Sequence, residues 1–350
     1  MAEVSSYAAD MRRVATSDSL PWDLLEGCNV LVTGATGLIG SCVTEILLQH
    51  NGHFHVYAAG RNEQRARQRF ARYWDDERFH FVNFDVMNPL QGDTLYHYII
   101  HTASGADPRS FNNWPVEVMK ANLLGVMNLM DYGRAHDLKR LLFVSSGEVY
   151  GQSKTAHFVE TDSGYVDCAT PRACYPSAKR AAETLCVCYQ HEYAVDTVIA
   201  RLCHTYGPGF TESDNRVYAQ FIRNVLRGED IVMKSEGKPY RSWCYVVDAA
   251  SALLHILLKG NSGEAYNVAD ESSNITIREL AEMTAELAGR KVVIELPPDA
   301  ARQNETKITR AVFDTTKLQG LGWHVEGCMK DKLRRTIEAV SEREGADNRV

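Results

Sequence analysis

The chain has 350 residues, 45% hydrophobic and 24% charged, and its formal net charge of −7 leaves no basic excess for binding the phosphates of a nucleic acid. Nine cysteines include no CxxC pair, and neither a signal-peptide core nor a run of 18 apolar residues occurs. We therefore expect a soluble, cytoplasmic protein without nucleic-acid or membrane partners and without a metal site.

The predicted elements follow a polar extension over residues 1–26, for which we expect one or two short helices. From Asn29 onward, apolar stretches alternate with helix-like stretches. The predicted strands are 30–32, 53–59, 79–84, 97–103, 140–146 and 196–202. Such alternation is typical of a parallel sheet covered on both faces. The prediction for residues 27–206 is therefore an α/β domain with a doubly wound parallel sheet.

The alternation becomes irregular after about Gly207. Helices are predicted near 214–227, 276–288 and 329–343, and short strands near 231–234 and 265–268. This pattern indicates a smaller, mixed α/β lobe over residues 207–350, with the chain crossing back to the large sheet. Our prediction for the role of this lobe is mainly substrate binding. We expect a cleft between the two lobes.

The stretch VLVTGATGLIG, residues 30–40, joins the first predicted strand to the first predicted helix. Its GxxGxxG spacing places glycines at positions 34, 37 and 40, where a missing β-carbon permits a tight turn and close approach of a pyrophosphate. The helix N-terminus, which includes Leu38 and Ile39, offers free N–H donors and the positive end of a dipole. The stretch therefore predicts a dinucleotide site, and residues 27–206 are predicted to form a dinucleotide-binding domain with a Rossmann fold.

The end of the second predicted strand bears on which dinucleotide binds. An acidic residue there would bind the adenosine ribose, but the sequence reads AAGRNEQRAR and Arg61 stands at about that position. Arg61 either binds a 2′-phosphate or stacks on adenine and faces solvent. NAD is the predicted cofactor, and NADP is the alternative because of Arg61.

The stretch CYPSAKRAAE contains a candidate reactive pair. Tyr175 and Lys179 are four residues apart and project from one face of a predicted helix. An ammonium beside a phenol favours the phenolate, which predicts a lowered pKa for Tyr175 and makes it a credible general base. In FVSSGEVYG, an apolar strand brings Ser146 to the carboxyl edge of the sheet, where ligands of doubly wound folds bind.

Taken together, these motifs resemble the extended short-chain dehydrogenase/reductase superfamily, in its NAD-dependent nucleotide-sugar epimerase, dehydratase and decarboxylase branch. The resemblance runs from about Asn29 to Trp323 and includes TGATGLIG, HTAS, SSGEVYG, YPSAK, ARLCHTYGPG and RSWCYVVDAA. It implies an enzyme that oxidises a sugar at C4, performs a second step on the 4-keto sugar and usually returns the hydride, so that the cofactor is recycled.

The resemblance also implies roles for individual residues. Tyr175 is the implied base, Lys179 the partner of the nicotinamide ribose and Ser146 the partner of the reacting oxygen, with Glu148 as an acid or base or as a structural partner. The implied cofactor residues are Gly34, Gly37, Leu38, Ile39, Gly40, Arg61, Asp85, Val86, Thr102, Ala103, Asn122, Tyr175 and Lys179. The candidate substrate residues are Ser104, Arg109, His204, Arg216, Val217 and Arg241. For His204, a structural hydrogen bond is the alternative.

The second chemical step remains open at this stage. Dehydratases carry an Asp-Glu pair where this chain has Gly147 and Glu148, which disfavours dehydration. The stretches PRACYPSAKRAAETLCVCY and KSEGKPYRSWCYVVD most resemble UDP-glucuronate decarboxylases, although His204 and Phe111 replace the expected Asn and Tyr. Decarboxylation of UDP-glucuronate is the most specific prediction. A 4-epimerase or 4,6-dehydratase is the alternative, followed by an NADP-dependent ketone reductase or a non-catalytic NAD(P)-binding regulator.

Two stretches, VEVMKANLLGVMNLMDYG and AAETLCVCY, are apolar nearly all round. A helix without a clear polar face is buried on two sides. These helices lie either in the core of one chain or, as the resemblance implies, in a four-helix bundle with their copies. We predict a homodimer.

Overall fold

The computed structural model describes residues 5–153, 155, 157–211, 214–296 and 309–347. The strands are β1 Asn29–Thr33, β2 His55–Gly60, β3 Phe79–Asn83, β4 Tyr98–His101, β5 Arg140–Ser146, β6 His157–Phe158, β7 Thr197–Leu202, β8 His204–Tyr206, β9 Ile231–Met233, β10 Tyr240–Tyr245, β11 Ala265–Val268, β12 Asp270–Thr276, β13 Val292–Ile294 and β14 Arg310–Phe313. The helices are α1 Ser6–Ala15, α2 Leu38–Gln49, α3 Glu63–Arg69, α4 Pro108–Asn113, α5 Pro115–Ala135, α6 Cys174–Tyr193, α7 Val217–Leu226, α8 Val246–Lys259, α9 Ile277–Leu287, α10 Thr316–Gln319 and α11 Met329–Asp347.

Within these described ranges, a seven-stranded parallel sheet in the order β11-β7-β5-β4-β1-β2-β3 forms the centre of the molecule. Its inner strands are mostly apolar and buried, as in β1, where all but the first residue are buried. Such strands need cover on both faces, which the helices supply. The predicted doubly wound parallel sheet is confirmed.

The direction of winding reverses between β1 and β4, because β2 lies on one side of β1 and β4 on the other. Thr33, His101 and Ser146 end β1, β4 and β5, so these three residues lie at the carboxyl edge of the sheet. Ligands of open α/β sheets bind outside this edge, at the point where the winding reverses.

The later part of the chain mostly builds a second, mixed sheet. Its order is β12-β10-β14-β6, with β8 paired to β10. The short strand β6 joins this sheet from the earlier part of the chain, whereas β11 returns to the large sheet. The division into residues 1–26, 27–206 and 207–350 stays a prediction.

The N-terminal extension is helical where predicted. The hydroxyl of Ser5 accepts a hydrogen bond from the amide of Ala8 and caps α1, which packs against α2, α8 and α11. The buried carboxylate of Asp10 accepts hydrogen bonds from Tyr245 and from Arg335 on α11. The extension is thereby attached to the C-terminal helix and to β10 of the second sheet.

The long helices α5 and α6 pack against each other, but they are not buried all round in the single chain. Val116, Met119 and Met127 of α5 are exposed, and so is Val187 of α6. The expectation of burial on two sides therefore fails for one chain alone, and an apolar face remains at the surface. No helix in the described ranges combines the length and apolar character needed to cross a membrane.

Candidate active site

The glycine-rich loop closes tightly against the loop that follows β4. Gly34 has a φ of +67°, and a β-carbon there would stand 2.8 Å from backbone atoms of Ala103 and 2.9 Å from Oγ1 of Thr102. A β-carbon on Gly40 would overlap the carbonyl oxygen of Gly34. The Thr102 hydroxyl donates to the carbonyl of Thr33 at 2.7 Å. The glycines are therefore required for packing of the turn itself, before any ligand is considered.

Helix α2 begins directly after this loop. Its N-cap, Gly37, has no side chain and makes no capping hydrogen bond. The amides of Leu38, Ile39 and Gly40 are in the first turn, where backbone donors have no partner within the helix. Such an uncapped N-terminus binds anionic groups such as a pyrophosphate.

The predicted adenosine end lies at the carboxyl ends of β2 and β3. The guanidinium of Arg61 is 3.8 Å from the carboxylate of Asp85, and its side chain is 74% exposed. Val86 is buried, and its carbonyl accepts a hydrogen bond from Asn128 at 2.9 Å. Arg61 thus lies at the exposed edge of the predicted cofactor site, beside Asp85. Its two alternative roles, binding a 2′-phosphate or stacking on adenine and facing solvent, stay predictions.

Among the buried polar atoms that have no hydrogen-bond partner in the described residues, three belong to β4, the loop after it and α5: Nε2 of His101, Oγ of Ser104 and Oδ1 of Asn122. The other ring nitrogen of His101 is 2.7 Å from the Thr33 hydroxyl, and the Asn122 amide donates to the carbonyl of Val118. Buried polar atoms are rarely left unpaired. Together with the uncapped α2, these atoms fit a polar dinucleotide cofactor at the edge of the sheet.

Tyr175 lies in the first turn of α6 and is buried. Ser146, at the end of β5, is a hydrogen-bonding neighbour of its side chain and lowers its pKa. Lys179 lies one turn further along α6, with its nitrogen 5.7 Å from the centre of the Tyr175 ring. The structure therefore brings these three predicted residues together at the carboxyl edge of the sheet.

The pKa of Tyr175 is nevertheless raised, and the sequence-based expectation of a lowered pKa is wrong for this structure. Burial is the largest cause, and the negative charge of Glu148 is the second. The ammonium of Lys179 donates instead to the carbonyl of Val144 at 2.7 Å. The neighbours that lower the pKa of Tyr175, without reversing the shift, are Ser146, Arg216 and Arg172.

Glu183, a further turn along α6, was missed by the sequence interpretation. Its carboxylate accepts hydrogen bonds from Ser145 at 2.5 Å and from Arg201 at 2.7 Å. Burial lowers the pKa of Lys179 to about 7, and Glu183 acts in the opposite direction. Tyr175, Lys179 and Glu183 follow each other at intervals of four, so the helical spacing was the available signal.

Glu148 lies in the 3-10 turn Gly147–Tyr150 that follows β5. Both of its carboxylate oxygens accept hydrogen bonds from Arg172, each at 2.8 Å. The acid or base predicted from the sequence is therefore held in a two-point ion pair. Arg172 was also missed, although it stands three residues before Tyr175 in PRACY.

Three candidate substrate residues, His204, Arg216 and Arg241, come from separate elements. Both arginines lie within electrostatic reach of His204, and Arg216 also lies within reach of Tyr175. His204 is accessible to solvent on one side. The protein atoms packed around it, followed by the charges of Arg241 and Arg216, lower its pKa to about 4. The imidazole is therefore neutral at physiological pH. The guanidinium of Arg216 donates hydrogen bonds to both carboxylate oxygens of Asp214, and its charge lowers the pKa of Tyr175.

The other candidate substrate residues are less closely tied to this cluster. Arg109 is exposed on the short helix α4 and has no hydrogen bond or ion pair with any residue that the structure describes. Val217 is the first residue of α7, directly after Arg216, and is partly exposed. The roles of both residues stay predictions.

Comparison with known proteins gives consistent similarities. The profile of the NAD dependent epimerase/dehydratase family matches residues 30–269. The chain is 31% identical over 318 residues to UDP-glucuronic acid decarboxylase 6 of Arabidopsis thaliana, covering 89% of this chain and 88% of that protein. It is 30% identical over 315 residues to UDP-glucuronic acid decarboxylase 1 of Danio rerio, covering 89% and 72%.

Solved structures show the same architecture. UDP-glucose 4-epimerase of Thermus thermophilus, in complex with NAD, matches with a TM-score of 0.74 and 25% identity over 89% of this chain and 98% of that one. The dTDP-glucose 4,6-dehydratase of Bacillus anthracis, in complex with NAD, matches with a TM-score of 0.76 and 21% identity over 91% and 98%. At 21% identity, the similarity to the dehydratase shows a shared fold only.

Proposed function

Since the chain belongs to the NAD dependent epimerase/dehydratase family, we propose that it is an NAD-dependent enzyme that modifies a nucleotide diphosphate sugar through a transient 4-keto intermediate. In its most specific form, the proposal is decarboxylation of UDP-glucuronate to a UDP-pentose. It is supported by the similarity to UDP-glucuronic acid decarboxylases, which extends over about nine-tenths of the chain.

The observation that carries the proposal is the position of Tyr175 relative to the arginines. The buried phenol has Ser146 as its hydrogen-bonding neighbour and is within electrostatic reach of Arg216. The charges of Arg216 and Arg241 both lower the pKa of His204, so two guanidinium groups lie close to the same side chain. A phenolic base beside two guanidinium groups suits a substrate with a hydroxyl to be oxidised and a diphosphate to be bound.

In the proposed mechanism, Tyr175 removes the proton from the C4 hydroxyl of the sugar, and Ser146 hydrogen-bonds the same oxygen. Arg216 and Arg241 pair with the diphosphate, and Lys179 holds the nicotinamide ribose. The first turn of α2 binds the pyrophosphate of the cofactor. Bound NAD supplies the hydride acceptor for oxidation at C4 and the donor for the final reduction.

The surroundings of Gly147 favour decarboxylation over dehydration as the second step. A β-carbon at residue 147 would overlap the ring of Phe313, so no acid fits there unless that ring moves. The carboxylate of the neighbouring Glu148 is bound by Arg172. A carboxylate on C5 lies β to a C4 ketone and leaves as carbon dioxide with little acid catalysis, whereas loss of the C6 hydroxyl needs a proton donor.

The test is turnover of UDP-glucuronate by the purified full chain with NAD. Release of carbon dioxide and a UDP-pentose in the NMR spectrum of the product supports the proposal. UDP-glucose and dTDP-glucose are assayed in parallel. Recovery of a C4 epimer would identify the enzyme as an epimerase, and recovery of a 4-keto-6-deoxy sugar would identify it as a dehydratase. Stoichiometric consumption of NADPH with a ketone would indicate a reductase, and binding of NAD without any turnover would indicate a regulator.

The proposal includes a homodimer and a cytoplasmic location. A four-helix bundle of α5, α6 and their copies is supported by the exposed apolar residues Val116, Met119, Met127 and Val187. A reducing compartment is supported by the nine cysteines, which all lie in the described ranges and are free thiols.

A further inference from the structure

We propose that Arg172 is a positioning residue of the active site, which controls the charge around Tyr175 and the placement of its ring by holding the carboxylate of Glu148 and contacting Phe111. The inference rests on the proposed function in one respect, namely that Tyr175 is the base.

The first contact of Arg172 is its two-point ion pair with Glu148. Both hydrogen bonds are 2.8 Å long, and the two side chains are 54% and 36% exposed. An ion pair with this exposure contributes little to folding stability, so the stability of the fold does not explain it. The amide of Glu148 donates to the hydroxyl of Ser146 at 3.2 Å. The pair is therefore attached to the residue that contacts the Tyr175 side chain.

The second contact of Arg172 is with Phe111. The central carbon of the guanidinium lies 4.8 Å from the centre of the Phe111 ring. That buried ring is stacked on the ring of Tyr175, with centroids 4.6 Å apart and planes inclined by 26°. A cation on an aromatic ring and two stacked rings are both favourable contacts. Arg172 thus helps to hold the ring against which Tyr175 is stacked.

The charges of this pair act directly on the phenol. Glu148 raises the pKa of Tyr175, and Arg172 lowers it. A guanidinium stays protonated throughout the physiological range, so Arg172 compensates the charge of Glu148 at every working pH. Removal of Arg172 takes away one positive charge, so that the negative charge of Glu148 is no longer offset. This loss opposes the phenolate, so Tyr175 would act as a base only at higher pH.

The thiol of Cys174, next to Tyr175 in the chain, feels the charges of Arg172 and Glu148 too, and its pKa can be measured without any substrate. Burial raises the pKa of its thiol, Arg172 lowers it, and Glu148 raises it. The thiolate is the form that reacts with alkylating reagents. The pH dependence of Cys174 alkylation therefore measures the local effect of the ion pair independently of turnover.

The experiment compares the wild-type chain with Arg172→Met, Glu148→Gln, the double variant and Arg172→Lys. Two measurements are made across pH: kcat/KM for UDP-glucuronate, and the rate of Cys174 alkylation by iodoacetamide, followed by peptide mass spectrometry. For Arg172→Met we expect the rising limb of kcat/KM to move up by about one pH unit, which is a tenfold loss on that limb. Glu148→Gln should move it down, the double variant should return towards wild type, and Arg172→Lys should lie between.

The matched control is Arg334→Met, which removes a similarly exposed arginine from its 2.7 Å ion pair with Asp331 on α11. This variant should move neither pH dependence. The proposal is overturned if Arg172→Met lowers kcat/KM equally at all pH values without recovery in the double variant, or if the Cys174 profile does not move. If the wild-type chain fails to decarboxylate UDP-glucuronate while the Cys174 profile moves and recovers as expected, the proposed function fails and the control of charge by Arg172 stands.

Discussion

The ring of Phe313 lies against the α-carbon of Gly147, where the second sheet meets the turn after β5. Phe313 is buried on β14, and its ring packs edge-on against Tyr150 at 5.6 Å and Phe158 at 6.2 Å between centroids. This aromatic cluster leaves no space for a side chain at residue 147. The absence of an acid beside Glu148 is thus coupled to the packing between the two sheets.

Replacement of Gly147 by Ala should lower the free energy of unfolding by about 1–3 kcal/mol, because the new β-carbon overpacks against Phe313. The cost should be smaller in a Phe313→Leu background, which makes a double-mutant cycle in urea the appropriate measurement. Gly345→Ala is the control, since a β-carbon there has no neighbour within 4 Å. Equal stability of Gly147→Ala and wild type would contradict the steric explanation.

Replacement of Tyr175 by Phe should lower kcat by about 10²–10⁴-fold, because it removes the general base. The affinity for NAD, measured by isothermal titration, should change little because the uncapped α2 is untouched. Tyr165→Phe is the matched control, since that side chain is 63% exposed and its hydroxyl has no hydrogen bond with a described residue. Full turnover by the Tyr175→Phe variant would contradict the proposed mechanism.

The buried Lys179 should make stability depend on pH above neutrality. Burial lowers its pKa from 10.5 to about 7, so between these values the unfolded chain binds a proton that the folded chain has released. The folded state is therefore destabilised relative to the unfolded state as pH falls towards 7. As pH rises from 7, the free energy of unfolding of wild type relative to Lys179→Met should increase by up to about 1.4 kcal/mol per pH unit. Urea unfolding at pH 7, 8 and 9 measures this slope. Lys234→Met, a change at a 68% exposed side chain, should show no such slope.

Replacement of Met127 by Lys should dissociate the proposed homodimer, because it places a charge in the exposed apolar face of α5. Light scattering should then give a mass near the 39.2 kDa of one chain instead of twice that value. Leu24→Lys provides the control, since Leu24 is similarly exposed but lies in the 3-10 turn Trp22–Leu25, outside both helices. A dimeric Met127→Lys variant would place the interface elsewhere.

The sequence interpretation was most successful where one short segment carries the whole signal. The strands of the large sheet, the glycine-rich turn and the Tyr175–Lys179 spacing were all recognisable, because each depends on residues a few positions apart. It was wrong about the pKa of Tyr175, since a four-residue spacing shows that Lys179 shares a helix face but not which group its ammonium binds. That partner, the carbonyl of Val144, lies 35 positions away.

By itself, the sequence determined the strands of the large sheet, the bare turn at the start of α2 and the residue types available for chemistry, because backbone periodicity and turn geometry act locally. It missed helix α8 and the strands β6, β8, β10, β12 and β14 of the second sheet. Only the tertiary structure decided that Arg172 binds Glu148, that Phe313 fills the space beside Gly147 and that His204 stands near Arg216 and Arg241. Burial and charge act through space. They depend on which distant segments meet at the carboxyl edge of the sheet.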